Sequence, residues 1–349
     1  MGNCIKVINK VVIWGGNGLN LDLDSIDSHA SVNAYFLTAA FKELASEVIN
    51  IVEMDSPEII LDHLDADIVI SVFQFGFTSR VIRKNKRSIY KKIRKGYKGK
   101  LLSIIDDAFL RKYYEDVLLT VIPKELNTFA DIAKNLLLKI LNPTLEVQTF
   151  GWSAEPSQCF PEECGHEFNV FIDHGPYDLN QIDDTNTYLK ALKRLSKKFP
   201  EANINIFIQD NNGIVNVKLD KEYNKILYQR SSKVPWPKVI SYYRRNHIFC
   251  VTHRESAGLA VVEAAMSGAK IYIPKKNKNS FINKKLLQQC PDYFVFDSGE
   301  ENADIVFKQM SLDIKQGIDR VRNHKILSET NSWTVSARRI IKAENLNSL

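Results

Sequence analysis

Glu255 and Glu263 stand with seven residues between them in the stretch 252–274, Thr-His-Arg-Glu-Ser-Ala-Gly-Leu-Ala-Val-Val-Glu-Ala-Ala-Met-Ser-Gly-Ala-Lys-Ile-Tyr-Ile-Pro. The stretch reads as a polar loop, a helix entered at Gly258 and apolar through Met266, a stop at Gly268, and a strand over 270–273. A helix that starts after a strand offers its free N–H groups and positive dipole end to an anion. Eight helical residues rise about 12 Å, roughly the span from a nucleotide's ribose to a sugar beyond its diphosphate. One carboxylate can then take ribose hydroxyls and the other sugar hydroxyls. The competing reading is a buried helix with one exposed and one capping Glu.

Residues 252–274 resemble the donor signature of the retaining glycosyltransferases with the two-domain GT-B fold, the family 4-like group. That pattern is Ser, two residues, Glu, two residues, Gly, and a second Glu eight positions after the first. The resemblance implies that Glu255 contacts the donor sugar, that Ser256, Ala257, Gly258 and Leu259 meet the diphosphate and sugar, and that Glu263 binds the ribose. Thr252 stands where the family has Ser, and Ala257 where an aromatic often sits. Two further segments are similar to the same group. Gly151-Trp152-Ser153-Ala154-Glu155-Pro156, followed by Cys159-Phe160-Pro161, resembles its segment crossing between domains. Asn331-Ser332-Trp333-Thr334-Val335-Ser336-Ala337-Arg338 resembles its C-terminal helix, whose Trp packs as the chain returns to the first domain.

The elements that must carry these residues alternate between strand and helix. Short Ile- and Val-rich strands are expected at 11–14, 47–52, 67–73, 100–105, 117–121, 145–149, 168–173, 204–208, 226–229, 247–251, 270–273 and 293–297, with helices notably at 31–45 and 125–141. At 349 residues, 44% of them hydrophobic, the chain can build two cores. The expected fold class is α/β, two Rossmann-like doubly wound domains. The first is 1–150, the second 151–330, and a helix over 330–349 packs back onto the first. The resemblance implies that they face across a cleft, acceptor on the first and nucleotide sugar on the second.

Other candidates follow from this frame. Gly15-Gly16-Asn17-Gly18 after the first strand is a Gly-rich turn. In this group such a turn brings backbone near Gly16 to the donor sugar; a plain tight turn is the alternative. His29 opens a helix that faces the cleft in this architecture, as acceptor contact or proton relay, with a helix capped by Ser28 as the other reading. His174 ends a strand, where it can bond phosphate or acceptor or serve structurally. Lys233 and Val234, before Pro235-Trp236-Pro237, match a loop that lies beside the nucleobase in the family. The family's Gly-Arg and Lys-Gly pair, which grips the diphosphate, has no counterpart. The region is His174-Gly175-Pro176-Tyr177-Asp178, and the first basic residue is Lys190. Arg254, Arg230, Lys233 and Lys275 are the substitute cations; otherwise amides hold the diphosphate alone, or the protein is an inactive homologue.

Charge is concentrated. Eleven basic and no acidic residues lie between Arg80 and Lys100, against +6 for the whole chain, so the remainder is net acidic by 5. Ile82, Ile89, Ile93 and Tyr97 form a narrow apolar stripe if this stretch is helical. Arg83, Lys84, Arg87, Lys91, Lys92, Arg94 and Lys95 then make a surface for an anionic membrane bearing a lipid-linked acceptor, or for DNA. A solvated helix that serves solubility is the bland alternative. Phage enzymes that glucosylate modified DNA bases share this fold and size.

No apolar run reaches the ~20 residues that span a bilayer, and no leader or acylation signal is evident at the N-terminus. Five irregularly spaced cysteines fit a reducing compartment. The Cys159, Cys164, His166 group lacks zinc spacing. Asp106-Asp107 and Asp183-Asp184 read as a strand-end loop and a helix start, so no metal and no other cofactor is expected. The expectation is a cytoplasmic, metal-independent, retaining hexosyltransferase, peripheral at the membrane if the basic stretch docks there. Its donor is a UDP- or GDP-sugar and its acceptor a hydroxyl of a glycan or lipid-linked glycan. A phage-type DNA glucosyltransferase and an inactive GT-B binding protein are the alternatives.

Overall fold

The computed structural model describes residues 8–15, 29–52, 57–72, 92–105, 117–120, 146–149, 153–174, 184–210, 226–229, 235–252, 259–275, 290 and 292–346. The chain divides into two compact units, 1–152 with 333–349, and 153–332.

The first unit holds six parallel strands: β1 (Lys10–Trp14), β2 (Glu47–Ile51), β3 (Ile68–Ser71), β4 (Lys100–Ile105), β5 (Val117–Thr120) and β6 (Glu146–Thr149). They lie in the order β2-β1-β3-β4-β5-β6. Residues of β1, β3 and β4 are buried as near-continuous apolar runs, as expected of a parallel sheet covered on both faces. Helix α1 (His29–Lys42) buries Phe36, Leu37 and Phe41. At the other end of the chain, Trp333 is buried and stacks on Phe36 with centroids 6.4 Å apart and planes 13° apart. Gly15 closes β1 at φ 90°, its N–H reaching the Ile51 carbonyl at 2.9 Å.

The second unit holds β7 (Glu167–His174), β8 (Asn203–Asp210), β9 (Ile226–Gln229), β10 (Ile248–Val251), β11 (Lys270–Lys275) and β12 (Tyr293–Asp297), ordered β12-β11-β10-β7-β8-β9 and all parallel. Counted within the unit this is the doubly wound order 3-2-1-4-5-6, which reverses between β7 and β10. Around it run α2 (Thr185–Lys198), α3 (Trp236–Arg245), α4 (Leu259–Met266), α5 (Ala303–Gln316) and α6 (Arg320–Asn331), with α7 (Trp333–Leu346) counted in the first unit. Tyr188, Leu192 and Leu195 of α2 join Val306 and Met310 of α5 and the inward residues of β7, β8, β10 and β11 in one core. The expected helix at 125–141 lies outside the described residues.

The basic stretch departs from its expected role where it is described. Ile93 and Tyr97 do not present an apolar stripe outward. Both are buried with Val12, Trp14, Val69 and Leu101 in the first unit's core, and the Tyr97 hydroxyl donates to the Lys100 carbonyl at 3.1 Å. Burial in that core is worth more to two large apolar side chains than any exposed position. Lys92 and Lys95 are exposed; Arg94 is half-buried, its Nη1 donating to the Gly99 carbonyl at 3.1 Å.

Candidate functional site

The strand order reverses between β7 and β10, and doubly wound sheets take their ligands beyond the carboxyl ends of the strands at such a reversal. Val251 of β10 pairs with Asp173 of β7. One residue further, buried Thr252 donates its hydroxyl to the Asp173 carbonyl at 2.7 Å. The Thr252 carbonyl in turn accepts from the Asp184 amide at 3.2 Å. Asp184, buried at the start of α2, accepts from the Gly299 amide at 2.9 Å, from Ser298 Oγ at 2.8 Å and from Thr187 Oγ1 at 3.3 Å. This carboxylate therefore ties α2 and the loop after β12 to the end of β10. Sequence reading gave Asp184 only a helix start; three partners, the farthest 115 positions along the chain, make it a hub.

From Thr252 the chain runs through 253–258 into α4, of which every residue but Ala260 is buried. Eight residues give it a rise of about 12 Å. Its C-terminus is closed as expected at Gly268, φ 95°, with Gly268 N–H to the Ala265 carbonyl at 2.9 Å and Ala269 N–H to the Ala264 carbonyl at 3.0 Å, the paired bonds of a Schellman motif. Side chains of α6 take the carbonyls around that end. His324 Nδ1 lies 2.9 Å from the Met266 carbonyl and 3.0 Å from that of Cys159, so Nδ1 carries the ring proton. Asn323 Nδ2 donates to the Gly268 carbonyl at 3.3 Å. Arg320 donates to the carbonyls of Glu162 (2.6 Å), Ser267 (3.4 Å) and Arg244. The far end of α4 is thus anchored, and its N-terminus is the end that follows β10 in the chain.

Glu263 lies in the middle of α4 and is 4% exposed. Its Oε1 accepts from Trp236 Nε1, the first residue of α3, at 2.7 Å. Burial pushes the carboxyl up to about 8, and the indole bond offsets only part of that. Among the described residues no cation stands against it, so the group is largely neutral at physiological pH. Trp236, 8% exposed, is a neighbour of this carboxyl that sequence reading passed over; the only signal was a Trp between two prolines at a helix start.

Leu259 is buried, so what it offers a ligand is its backbone N–H. Glu255, Arg254, Ser256, Ala257 and Gly258 lie outside the described residues, as do Arg230, Lys233, Val234 and Gly16, and Arg83, Lys84, Arg87 and Lys91 of the basic stretch. The backbones of His29 and His174 open α1 and end β7. The exposed substitute cation Lys275 reaches Asp297 at 3.9 Å. The segment resembling a domain crossing lies beside the exit of the unit: Ala154 bridges to Ser332, and its amide reaches the Asn331 carbonyl at 3.0 Å. Arg244 of α3 lies over the Phe160 ring at 4.1 Å and donates to the Gln158 carbonyl at 2.6 Å, which fixes this segment to α3. Cys164 Sγ contacts the carbonyls of Glu162 and Arg245. Among the described residues no three His, Cys, Asp or Glu side chains converge as a metal-holding group, and no helix is long and apolar enough to cross a membrane.

Neither a family model nor a curated protein matches the sequence. Solved structures match throughout its length. A glycosyltransferase from Rickettsia africae ESF-5 superposes with a TM-score of 0.59 at 11% identity, covering 97% of this chain and 99% of its own. Anabaena HepE, in complex with UDP and glucose, gives 0.59 at 11% identity over 98% and 100%. Sucrose-phosphate synthase from Thermosynechococcus elongatus gives 0.55 at 10% identity over 97% and 98%. Superposition over the whole chain at such low identity shows the fold alone: this chain has the α/β, doubly wound GT-B fold of these proteins.

Proposed function

We propose that the protein is a retaining, metal-independent glycosyltransferase that moves a hexose-type sugar from a nucleoside diphosphate, UDP or GDP, to a hydroxyl of a glycan or lipid-linked acceptor. The observation that carries this is the placement of the Glu255-to-Glu263 segment. What is described of it is its two flanks: Thr252, at the end of β10 beside the strand-order reversal, and the buried helix α4 that carries Glu263. The likeness to a glycosyltransferase and to a protein holding UDP and glucose supports the same reading.

In this reading Glu255 takes hydroxyls of the donor sugar, the amides from Ser256 to Leu259 receive the diphosphate, and Glu263 meets the ribose. As the C1–oxygen bond breaks, negative charge grows on the β-phosphate; preorganised amides and the helix dipole stabilise it at no reorganisation cost. Arg254, Arg230, Lys233 and Lys275 are the cations within reach in sequence, Gly16 brings the first unit's backbone to the sugar, and His174 and His29 are the candidate proton-handling groups. With Ile93 and Tyr97 in the core, the 80–100 stretch acts by charge rather than by insertion, which suits docking to an anionic bilayer surface or to a polyanion such as DNA.

The test is donor turnover. Purified protein with UDP- and GDP-sugars is expected to release nucleotide slowly without acceptor, Glu255→Ala is expected to abolish release, and the transferred or hydrolysed sugar should keep its anomeric configuration by NMR. Absence of nucleotide binding and release from the wild-type protein removes the enzyme reading and leaves a GT-B binding protein. Retention on phosphatidylglycerol vesicles against duplex DNA over rising salt separates the acceptor classes.

A further inference from the structure

The Trp236 and Glu263 pair has a consequence for how the site reads its ligand. The indole N–H is a donor with no acceptor capacity, and it points at one carboxyl oxygen, Oε1, at 2.7 Å. Both side chains are buried, Trp236 as the first residue of α3 and Glu263 on α4, and the two helices pack against one another. In the chain Trp236 stands between Pro235, whose φ of −53° and ψ of 140° start the helix, and Pro237, while its ring is fixed by burial and by this bond. A ring so held gives the carboxyl one orientation. An oxygen that accepts from an N–H is the carbonyl-type oxygen of a neutral carboxyl, so a proton on this group sits on Oε2. Oε2 is then a hydroxyl donor aimed away from the indole.

We propose that Trp236 is a positioning residue that sets the specificity of this site: by holding Oε1 it makes Oε2 of Glu263 the single hydrogen-bonding atom presented to the ligand, matched to one ribose hydroxyl of a nucleoside diphosphate. The proposal rests on the glycosyl-transfer reading and adds the device by which ribose is told from deoxyribose. The surroundings favour the neutral group. Tyr243 of α3 and Cys159 of the crossing segment are both held neutral by burial, while Arg320 and His324 of α6 turn to backbone carbonyls, among them those of Ser267 and Met266 at the far end of α4. Burial raises the Glu263 carboxyl to about 8 in agreement with that.

The experiment measures equilibrium binding of UDP and 2′-deoxy-UDP, with GDP and 2′-deoxy-GDP in parallel, to wild type, Trp236→Phe, Glu263→Gln and the double variant. Wild type is expected to favour the ribonucleotide by about tenfold, the scale of one buried hydrogen bond. Trp236→Phe should lose most of that preference, and the double variant should lose no more than Glu263→Gln alone. A purely structural role for the Trp would weaken both nucleotides equally and leave the ratio intact, which overturns the proposal, as does wild type that binds without ribose preference. Wild type that binds neither nucleotide overturns the donor reading itself, and this inference with it. Replacing Trp236 by benzothienylalanine, which exchanges N–H for sulfur within the same ring shape, answers the question if Trp236→Phe unfolds.

Discussion

Trp236 Nε1 donates to Glu263 Oε1 at 2.7 Å, and among the described residues nothing positively charged shares that carboxyl. A buried acid held this way is stable as the neutral form, and its proton links folding to pH. The folded-state value, raised from 4.5 to about 8, lies above that of the unfolded chain. Its contribution is therefore full below about pH 4.5, falls as the unfolded chain ionises, and is gone once pH passes about 8. Denaturant unfolding of wild type should show stability declining by a few kcal/mol from this group across that window. Glu263→Gln should flatten that decline; an unchanged slope would show that the carboxyl is not buried neutral.

His247 works in the opposite direction. Its Nδ1 accepts from the Asn169 amide at 3.1 Å and its ring stacks on Phe168 with centroids 5.2 Å apart, an arrangement that needs the neutral ring. Burial, and then the charge of Arg320, lower it from 6.5 to about 4. Its contribution is present above pH 6.5 and lost as pH falls toward 4. His247→Asn should remove the acid-side slope while leaving the Glu263 slope, as read by the same unfolding titration.

Gly268 is required twice over. Its φ of 95° is costly for any L side chain, and an added Cβ would come 2.7 Å from Arg320 Cβ and 2.8 Å from the Arg320 carbonyl. Gly317 shares the positive φ, 77°, with open space around it. Gly317→Ala should cost about 1 kcal/mol and Gly268→Ala about 2–4. Equal thermal shifts for the two would show that α4 and α6 are not in this close contact.

Lys270 and Asp313 form a buried pair at 2.8 Å, with Tyr272 and Gln309 also on the Asp313 carboxylate and Asp292 at 3.2 Å from the Lys270 ammonium. Asp313→Ala leaves a buried ammonium with only the half-buried Asp292 as ionic partner and should cost about 3 kcal/mol. The double variant Asp313→Ala, Lys270→Met should recover part of that loss in chemical unfolding.

Much of the fold was legible in the sequence because parallel strands buried on both faces are written as short apolar runs; all twelve expected strands appear, most within a residue or two of their reading. Helix α4 and its Gly268 stop were legible for a similar reason, since a left-handed C-terminus nearly demands glycine. What stayed hidden was the identity of distant partners. Nothing in the local pattern around Trp236 pointed to Glu263, 27 positions away. The outward stripe was misread for Ile93 and Tyr97 for a different reason: their spacing put them on one face, but spacing alone does not say whether that face meets core or lipid.

If the 255–263 segment holds both ends of a nucleotide sugar, a crystal structure of the protein with intact UDP- or GDP-sugar will show ribose at Glu263, diphosphate on the amides of 256–259, and the hexose at Glu255. Nucleotide bound elsewhere, or this segment empty in crystals saturated with donor, would overturn that assignment.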